Sequence, residues 1–407
     1  MIFLDLKNQS LDKFLFYIVL LINFVLLRIL TLVLRLLFFK HLLKKIHLVT
    51  RTKNKILYLE GTHYGGAGYK YRVEKWMSIL GQHNYTCKGL FVFNIEEWHK
   101  KYNPENPFSF LNEYMLIRMA QVLGTVFYSH VIVRRELLIY NDYGNLFLEK
   151  FLNSIHYNIY LDFDDDIQST KKSYPTTIKS RLLGLVNNSF FKSLNYYDHL
   201  IVGSDYLKKI AIRNSKILKH QITVIPTCVD YYELGKKEYN KTDSIIKFGW
   251  VGSDNNLFYL DQIIDELNET SQSHNIELIV ISKNGYQTDK NLNLKIKNVQ
   301  WDINKEVENI LKIDIGLMPL NDALLDKGKC GFKLIQYMGL GIVSIASGIG
   351  VNSKIIRDKH NGFLVNENNW FDVLKEVISK KENFQNIGEA ARKSIQSSYS
   401  FDSNTSL

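Results

Sequence analysis

Between Lys329 and Val365 the chain reads KCGFKLIQYMGLGIVSIASGIGVNSKIIRDKHNGFLV, in which glycines and lysines recur around one helix and one strand. Gly328 and Gly331 open a helix predicted from about Phe332 to Gly339, Gly341 ends it, IVSIAS reads as a buried strand, and Asn361-Gly362 as a tight turn. A glycine-rich entry lets backbone N–H groups approach an anion at a helix N-terminus. Lys333 in the first turn adds a full positive charge beside it, with Lys329 as a second cation. This chemistry suits a diphosphate, Lys333 stabilising it as a leaving group without a metal ion. The plainer alternative is a β-α-β packing unit with a solvated lysine.

Three further clusters carry chemistry. Gly65, Gly66 and Gly68 lie between the strand KILYLEG and the helix that follows, flanked by His63 and Arg72, where bare backbone can reach phosphate or sugar oxygens. Arg135 and Glu136 end the strand VIVRREL, as site residues or as a buried ion pair. Asp162, Asp164, Asp165 and Asp166 crowd the end of the strand IYLDF, where neighbouring carboxylates raise one another's pKa or meet a cation. Asp162 and Asp164 have the Asp-x-Asp spacing of a divalent-metal pair that bridges to a diphosphate. Helix capping and solvation of a loop is the alternative.

These residues need elements that hold them at strand ends. From Lys55 onward strands alternate with helices, the pattern of a parallel sheet covered on both faces, with ligands beyond the carboxyl ends of the strands. The first series runs KILYLEG, GLFVFNI, VIVRREL, YNIYLDFDDD, HLIVGS and ITVIPTCVD, with a helical stretch from about Ser180 to Tyr197. After the polar link YYELGKKEYNKTDS a second series runs IIKFGWVGS, a helix from about Leu257, IELIVIS, VQWDI, IDIGLMPL and the Lys329–Val365 region. By the strand-end rule Gly252, Ser253, Ser282 and Lys283 line the second site. The expected fold is α/β, two Rossmann-like doubly wound domains facing a cleft, preceded by a hydrophobic helix. The predicted bounds are 1–50 for a basic hydrophobic segment, 51–235 and 236–385 for the two domains, and 386–407 for a helix returning to the first.

A chain of 407 residues with 46% hydrophobic composition can bury two cores. Its net charge of +10 is local: residues 1–55 hold ten Lys or Arg and two Asp, +8, leaving +2 for the rest. That balance argues against a nucleic-acid-binding body. Cys87, Cys228 and Cys330 lack zinc or disulfide spacing. Phe14 to Phe39 reads FLFYIVLLINFVLLRILTLVLRLLFF, long enough to span a bilayer at about 1.5 Å per residue. Arg28 and Arg35 share one helical face, which favours an in-plane helix with snorkelling arginines; a full span would place Arg28 at a cost of about 2.5–3.5 kcal/mol. The lysines and arginines from Lys40 to Lys55 predict attachment to the cytoplasmic face of the cell membrane through residues 14–49.

In order and spacing, HYGGAGYKYRVE, LDFDDD, IVGSDYL, VIPTCVD, FGWVGS, GLMPL and the segment closing in NGFLV resemble the family 4 glycosyltransferases, retaining enzymes of the GT-B fold. The resemblance covers most of residues 55–400. It implies transfer of a sugar, with retention, from a UDP- or GDP-type donor to a hydroxyl of a glycan or lipid-linked acceptor, in cell-surface polysaccharide synthesis and without a cofactor. It implies donor contacts from Gly65, Gly66, Gly252, Ser253, Ser282, Lys329, Gly331, Phe332, Lys333, Leu334 and Gln336. Catalytic or acceptor roles fall to Asp164, Asp165, Arg135 and Glu136, one carboxylate orienting the attacking hydroxyl. The chain departs from the pattern at two points: Gly328 and Gln336 stand where the family has a glutamate pair. Either Lys329, Lys333 or Asp322 takes over part of that work or catalysis is lost. The alternatives are therefore a non-catalytic scaffold or partner subunit, and a metal-dependent transferase using Asp162–Asp166.

Overall fold

The computed structural model describes residues 44–45, 47–49, 51–61, 66–101, 108–138, 146–171, 189–230, 235–239, 244–367 and 369–405. The hydrophobic segment Phe14–Phe39, His63 and Gly65 lie outside them. Among the described residues no helix is long and apolar enough to cross a membrane. The chain divides into two compact units, the first of residues 1–163, 167–202 and 208–223, the second of 164–166, 203–207 and 224–407.

The first unit is built on β1 (Thr52–Glu60), β2 (Thr86–Leu90), β3 (Tyr128–Arg134), β4 (Ile159–Phe163), β5 (His199–Val202) and β6 (Ile222–Val224), in the order β2-β1-β3-β4-β5-β6. Leu57, Leu59, Val131, Val133, Leu161 and Leu200 are fully buried, as expected for strands covered on both faces. The predicted strand GLFVFNI stops at Leu90. Asn94 begins a helix (Ile95–Lys101) instead: its Oδ1 accepts the Glu97 N–H at 2.8 Å while its own N–H donates to Glu97 Oε2 at 3.0 Å, a capping box.

The second unit carries β7 (Ile246–Val251), β8 (Ile276–Ser282), β9 (Lys295–Gln300), β10 (Ile315–Met318), β11 (Val343–Ser347) and β12 (Phe363–Val365), in the order β12-β11-β10-β7-β8-β9. Its strand over VQWDI lies earlier than predicted: the ladder to β8 ends with the Trp301 N–H donating to the Ser282 carbonyl, and the Trp301 indole N–H then donates to Glu306 at 3.2 Å. The helix predicted from Leu257 is a 3₁₀ segment (Asp254–Gln262) followed by a helix over Ile264–Ser271. The closing helix, Phe384–Ser398, belongs to this unit rather than to the first: Phe384 and Ile387 enter its core, and Arg392 donates to the carbonyls of Gly235 and Gly339.

Every described strand pairing is parallel. In each sheet the chain reverses its winding direction beside the first strand, between β1 and β3 and between β7 and β10. Such switch points are where open α/β sheets bind ligands, beyond the carboxyl ends of the strands. At the second switch point the helix Phe332–Gly339 is held by Tyr337, which is fully buried and accepts the Val251 N–H at 2.9 Å. Its ring packs so closely on β10 that a methyl group on Gly316 would come within 2.3 Å of it. Gly316→Ala is therefore expected to lower the unfolding free energy by about 1–3 kcal/mol or more, read by denaturant titration.

Candidate functional site

In the second unit the site is assembled around Lys333. Gly331, with φ of 71°, turns the chain into the helix Phe332–Gly339. The first helical N–H groups, those of Lys333 and Leu334 among them, precede any intrahelical acceptor; the ladder begins with Ile335 N–H donating to the Gly331 carbonyl. The Lys333 ammonium lies 5.1 Å from the centroid of the Trp250 ring, at the end of β7. A methyl group on Gly252 would come within 3.0 Å of Lys333 Cε, so glycine there makes room for the lysine stem. The Gly252 N–H is not free for a ligand, since it donates to the Ile281 carbonyl. Among the described residues no carboxylate is within ion-pair distance of the Lys333 ammonium. Burial first, and then repulsion from Lys329, pull its pKa down to about 8, partly opposed by Cys330 and Asp165.

Lys329 lies 5.1 Å over the Tyr259 ring and donates to Asn256 Oδ1 at 3.4 Å. Tyr259 donates to the buried carboxylate of Asp326, which also accepts the Asn321 N–H, so the turn carrying Lys329 is tied to the 3₁₀ segment. Ser253 accepts from Asn256, while Asp254 accepts both the backbone and side-chain N–H of Asn284, joining the loops after β7 and β8. Ser282 is fully buried with its hydroxyl accepting the Gly285 N–H, a turn-holding role, and Lys283 is exposed. Leu334 is fully buried, so its side chain is part of the core. Gln336 is also buried, one turn along the helix from Lys333.

Residues Asp164–Asp166 join this same unit. Asp164 accepts the Thr227 hydroxyl at 3.4 Å, and the charges of Asp164 and Asp165, after burial, push the Cys330 thiol up to about 12, leaving it protonated. The charge of Asp165 thus bears on Lys333, and the charges of Asp164 and Asp165 both bear on Cys330, three residues before it in the chain. Gly328 has no room for any side chain, because a methyl group there would stand 2.5 Å from Asp166 Cβ. A carboxylate-bearing residue from another part of the chain occupies that space. Asp322 is exposed and pairs with Lys327 at 2.6 Å.

In the first unit the strand ends are crossed by two buried ion pairs that sequence spacing did not reveal. Arg72, in a π-helical turn over Lys70–Glu74, grips both carboxylate oxygens of Asp162. Arg134 reaches Glu60 at 3.2 Å, and a methyl group on Gly68 would meet its guanidinium at 2.7 Å. The buried Arg–Glu pair is therefore Arg134–Glu60, rather than Arg135–Glu136, and Gly68 serves close packing. With both oxygens on Arg72, Asp162 is not placed as half of a metal-binding pair with Asp164. Arg135 takes a left-handed φ of 66° and donates its N–H to the Asp162 carbonyl at 2.7 Å; Glu136 is buried beside it. Gly66 accepts the Lys70 N–H with its carbonyl. Arg72, Arg134, Glu60, Trp250 and Tyr337 are the members that sequence patterns missed or underrated, since their partners stand tens of residues away.

No family model and no curated protein matches the chain. Solved structures do. Sucrose-phosphate synthase from Thermosynechococcus elongatus aligns at a TM-score of 0.62 and 12% identity, over 86% of this chain and 96% of that one. The lipopolysaccharide outer-core galactosyltransferase WaaB aligns at 0.59 and 13%, over 86% and 97%. HepE of Anabaena, solved with UDP-glucose, aligns at 0.55 and 12%, over 86% and 97%. At such identities the likeness is one of fold: the chain shares the GT-B architecture of these transferases, two parallel six-stranded α/β units.

Two consequences are measurable. A bound anion raises the Lys333 pKa, so anion affinity is full below about pH 8 and falls as pH rises through that value, by up to about tenfold per unit. Titration calorimetry from pH 7 to pH 9.5 should show this fall with proton uptake, and Lys333→Arg should flatten it. Asp162→Asn leaves the Arg72 guanidinium without its counter-charge and is expected to cost about 3–5 kcal/mol of stability. The double variant with Arg72→Met should recover part of that loss in the same unfolding assay.

Proposed function

We propose that this protein is a glycosyltransferase, taking a sugar from a UDP- or GDP-type donor and passing it to a hydroxyl of a glycan or lipid-linked acceptor. One observation carries the reading: the half-buried Lys333 ammonium has no counter-ion among the described residues and stands in the first turn of a helix at a sheet switch point. A diphosphate completes it, through charge, the helix-start N–H groups and Lys329. The shared fold with transferases, one solved with UDP-glucose, supports this choice of anion.

In the proposed reaction the bond from the anomeric carbon to the diphosphate breaks and one from the acceptor oxygen forms. Lys333 and Lys329 stabilise the charge that gathers on the departing diphosphate. Asp164 or Asp165 orients the acceptor hydroxyl, whose proton passes to a carboxylate or to the leaving phosphate. Gln336 offers the ribose a neutral hydrogen-bonding partner in place of a carboxylate. Arg135 and Glu136, at the end of β3, are assigned to the acceptor. The resemblance to retaining family 4 enzymes supports retention and a role in cell-surface polysaccharide synthesis. The basic hydrophobic segment 14–49 supports attachment at the cytoplasmic face of the membrane.

The test is calorimetry of UDP, GDP and their sugar conjugates on the full chain in chelator, paired with Lys333→Ala. The expected result is binding of one nucleotide series, weakened at least about tenfold in the variant, as for loss of a charge-assisted contact. No nucleotide binding by a folded protein overturns the reading. Binding without turnover across glycan and lipid-linked acceptors favours the scaffold.

A further inference from the structure

The face at the amino end of the first unit's sheet, opposite the carboxyl ends that carry the candidate residues, has a composition the transferase chemistry does not use. Five of the nine large apolar side chains that are exposed among the described residues lie there: Leu48, Val49, Leu123, Phe127 and Leu218. Val49 is 86% exposed and Phe127 59%. Chain connectivity and pairing bring the first four of them together, while Leu218 lies before β6 at the far edge of the sheet. Phe127 immediately precedes β3, Thr52 at the start of β1 pairs with Tyr128, and Leu123 ends the helix (Phe108–Leu123) that runs into the same corner.

Leu48 and Val49 are pinned in place. His47, one residue earlier, is fully buried, packs at a tilt of 42° against His156 with ring centroids 3.8 Å apart, and donates its Nε2–H to the Tyr128 carbonyl at 2.9 Å. His156 donates to that same carbonyl at 2.9 Å, and burial depresses both imidazoles, His156 to about 3, so this anchor is neutral. The charge at the face comes from Lys44, Lys45, Arg51, Lys53 and Lys55, and no acidic residue occurs in the chain between Asp12 and Glu60. Asp198, the acid that precedes β5, accepts the Ile159 N–H with its carboxylate at 2.9 Å.

We propose that this face is a lipid-contact surface: Phe127, Leu123, Leu48 and Val49 enter the interface of an anionic bilayer while Arg51 and Lys53 meet its headgroups. An apolar cluster bordered by cations is complementary to acyl chains beneath an anionic surface, and not to water or to a cationic partner. In sequence the cluster begins nine residues after the hydrophobic segment 14–39. The inference does not rest on the transferase reading.

The test uses the full chain with Phe127→Trp, compared with wild type, on vesicles of phosphatidylcholine with and without phosphatidylglycerol. Contact gives a blue-shifted emission on the anionic vesicles, quenched by lipids brominated along their acyl chains. Unshifted, unquenched emission from protein that floats with the vesicles overturns the proposal, because the hydrophobic segment 14–39 alone then holds the membrane. Emission already blue-shifted and inaccessible to iodide without vesicles also overturns it, showing the face covered by residues 1–43 or a second copy. Arg51→Glu with Lys53→Glu is expected to lower partition to the anionic vesicles at least about tenfold and to leave neutral vesicles unaffected. Nucleotide binding should be unchanged in all these variants, which separates this test from that of the donor site.

Discussion

Tyr337 on Gly316 is the contact from which the second unit's site follows. By packing on β10 where no side chain intervenes, and by accepting the Val251 N–H at the end of β7, it joins both strands of the switch point to one helix. Lys333 lies four residues earlier on that helix, on the same face by helical period. The start of the helix is thus fixed against the strand ends to within a hydrogen bond. A long lysine side chain, free to wander on a surface, is there directed over Trp250 and kept from finding a carboxylate of its own.

The two ends of this arrangement use charge differently. In the first unit, Arg72 with Asp162 and Arg134 with Glu60 are matched, buried pairs that tie the helical turn after the first glycines and the end of β1 to neighbouring strand ends. Such pairs add little net stability but fix geometry, because neither partner tolerates loss of the other. At the candidate site of the second unit, Lys329 and Lys333 have no carboxylate partner among the described residues. Lys333 has a depressed pKa and Lys329 only an amide and an aromatic face, so an incoming dianion gains more there than from lysines already paired.

Gly328 shows how a local departure is resolved by the fold. Taken as a letter in a motif it is a lost carboxylate. In the folded chain it is the space into which Asp166 packs, so a side chain at 328 would require the segment carrying Asp166 to shift. The carboxylates of this region come from the loop after β4, about 160 residues away in sequence.

Sequence alone determined the α/β class, the alternation of buried strands with helices, and the helix from Phe332 to Gly339 with its lysine. These are legible because hydrophobic period and glycine position are local properties of the chain. It misjudged the bounds of GLFVFNI and VQWDI; in the first, capping by Asn94 and Glu97 overrode apolar content. Only tertiary structure decided that Asp162 belongs to Arg72, that Glu60 pairs with the buried Arg134, that Ser282 and Leu334 are buried, and that the charge of Asp165 bears on Lys333. Those choices depend on which distant side chains arrive within a few ångströms of each other. That is set by strand order and close packing, and no spacing within the sequence encodes it.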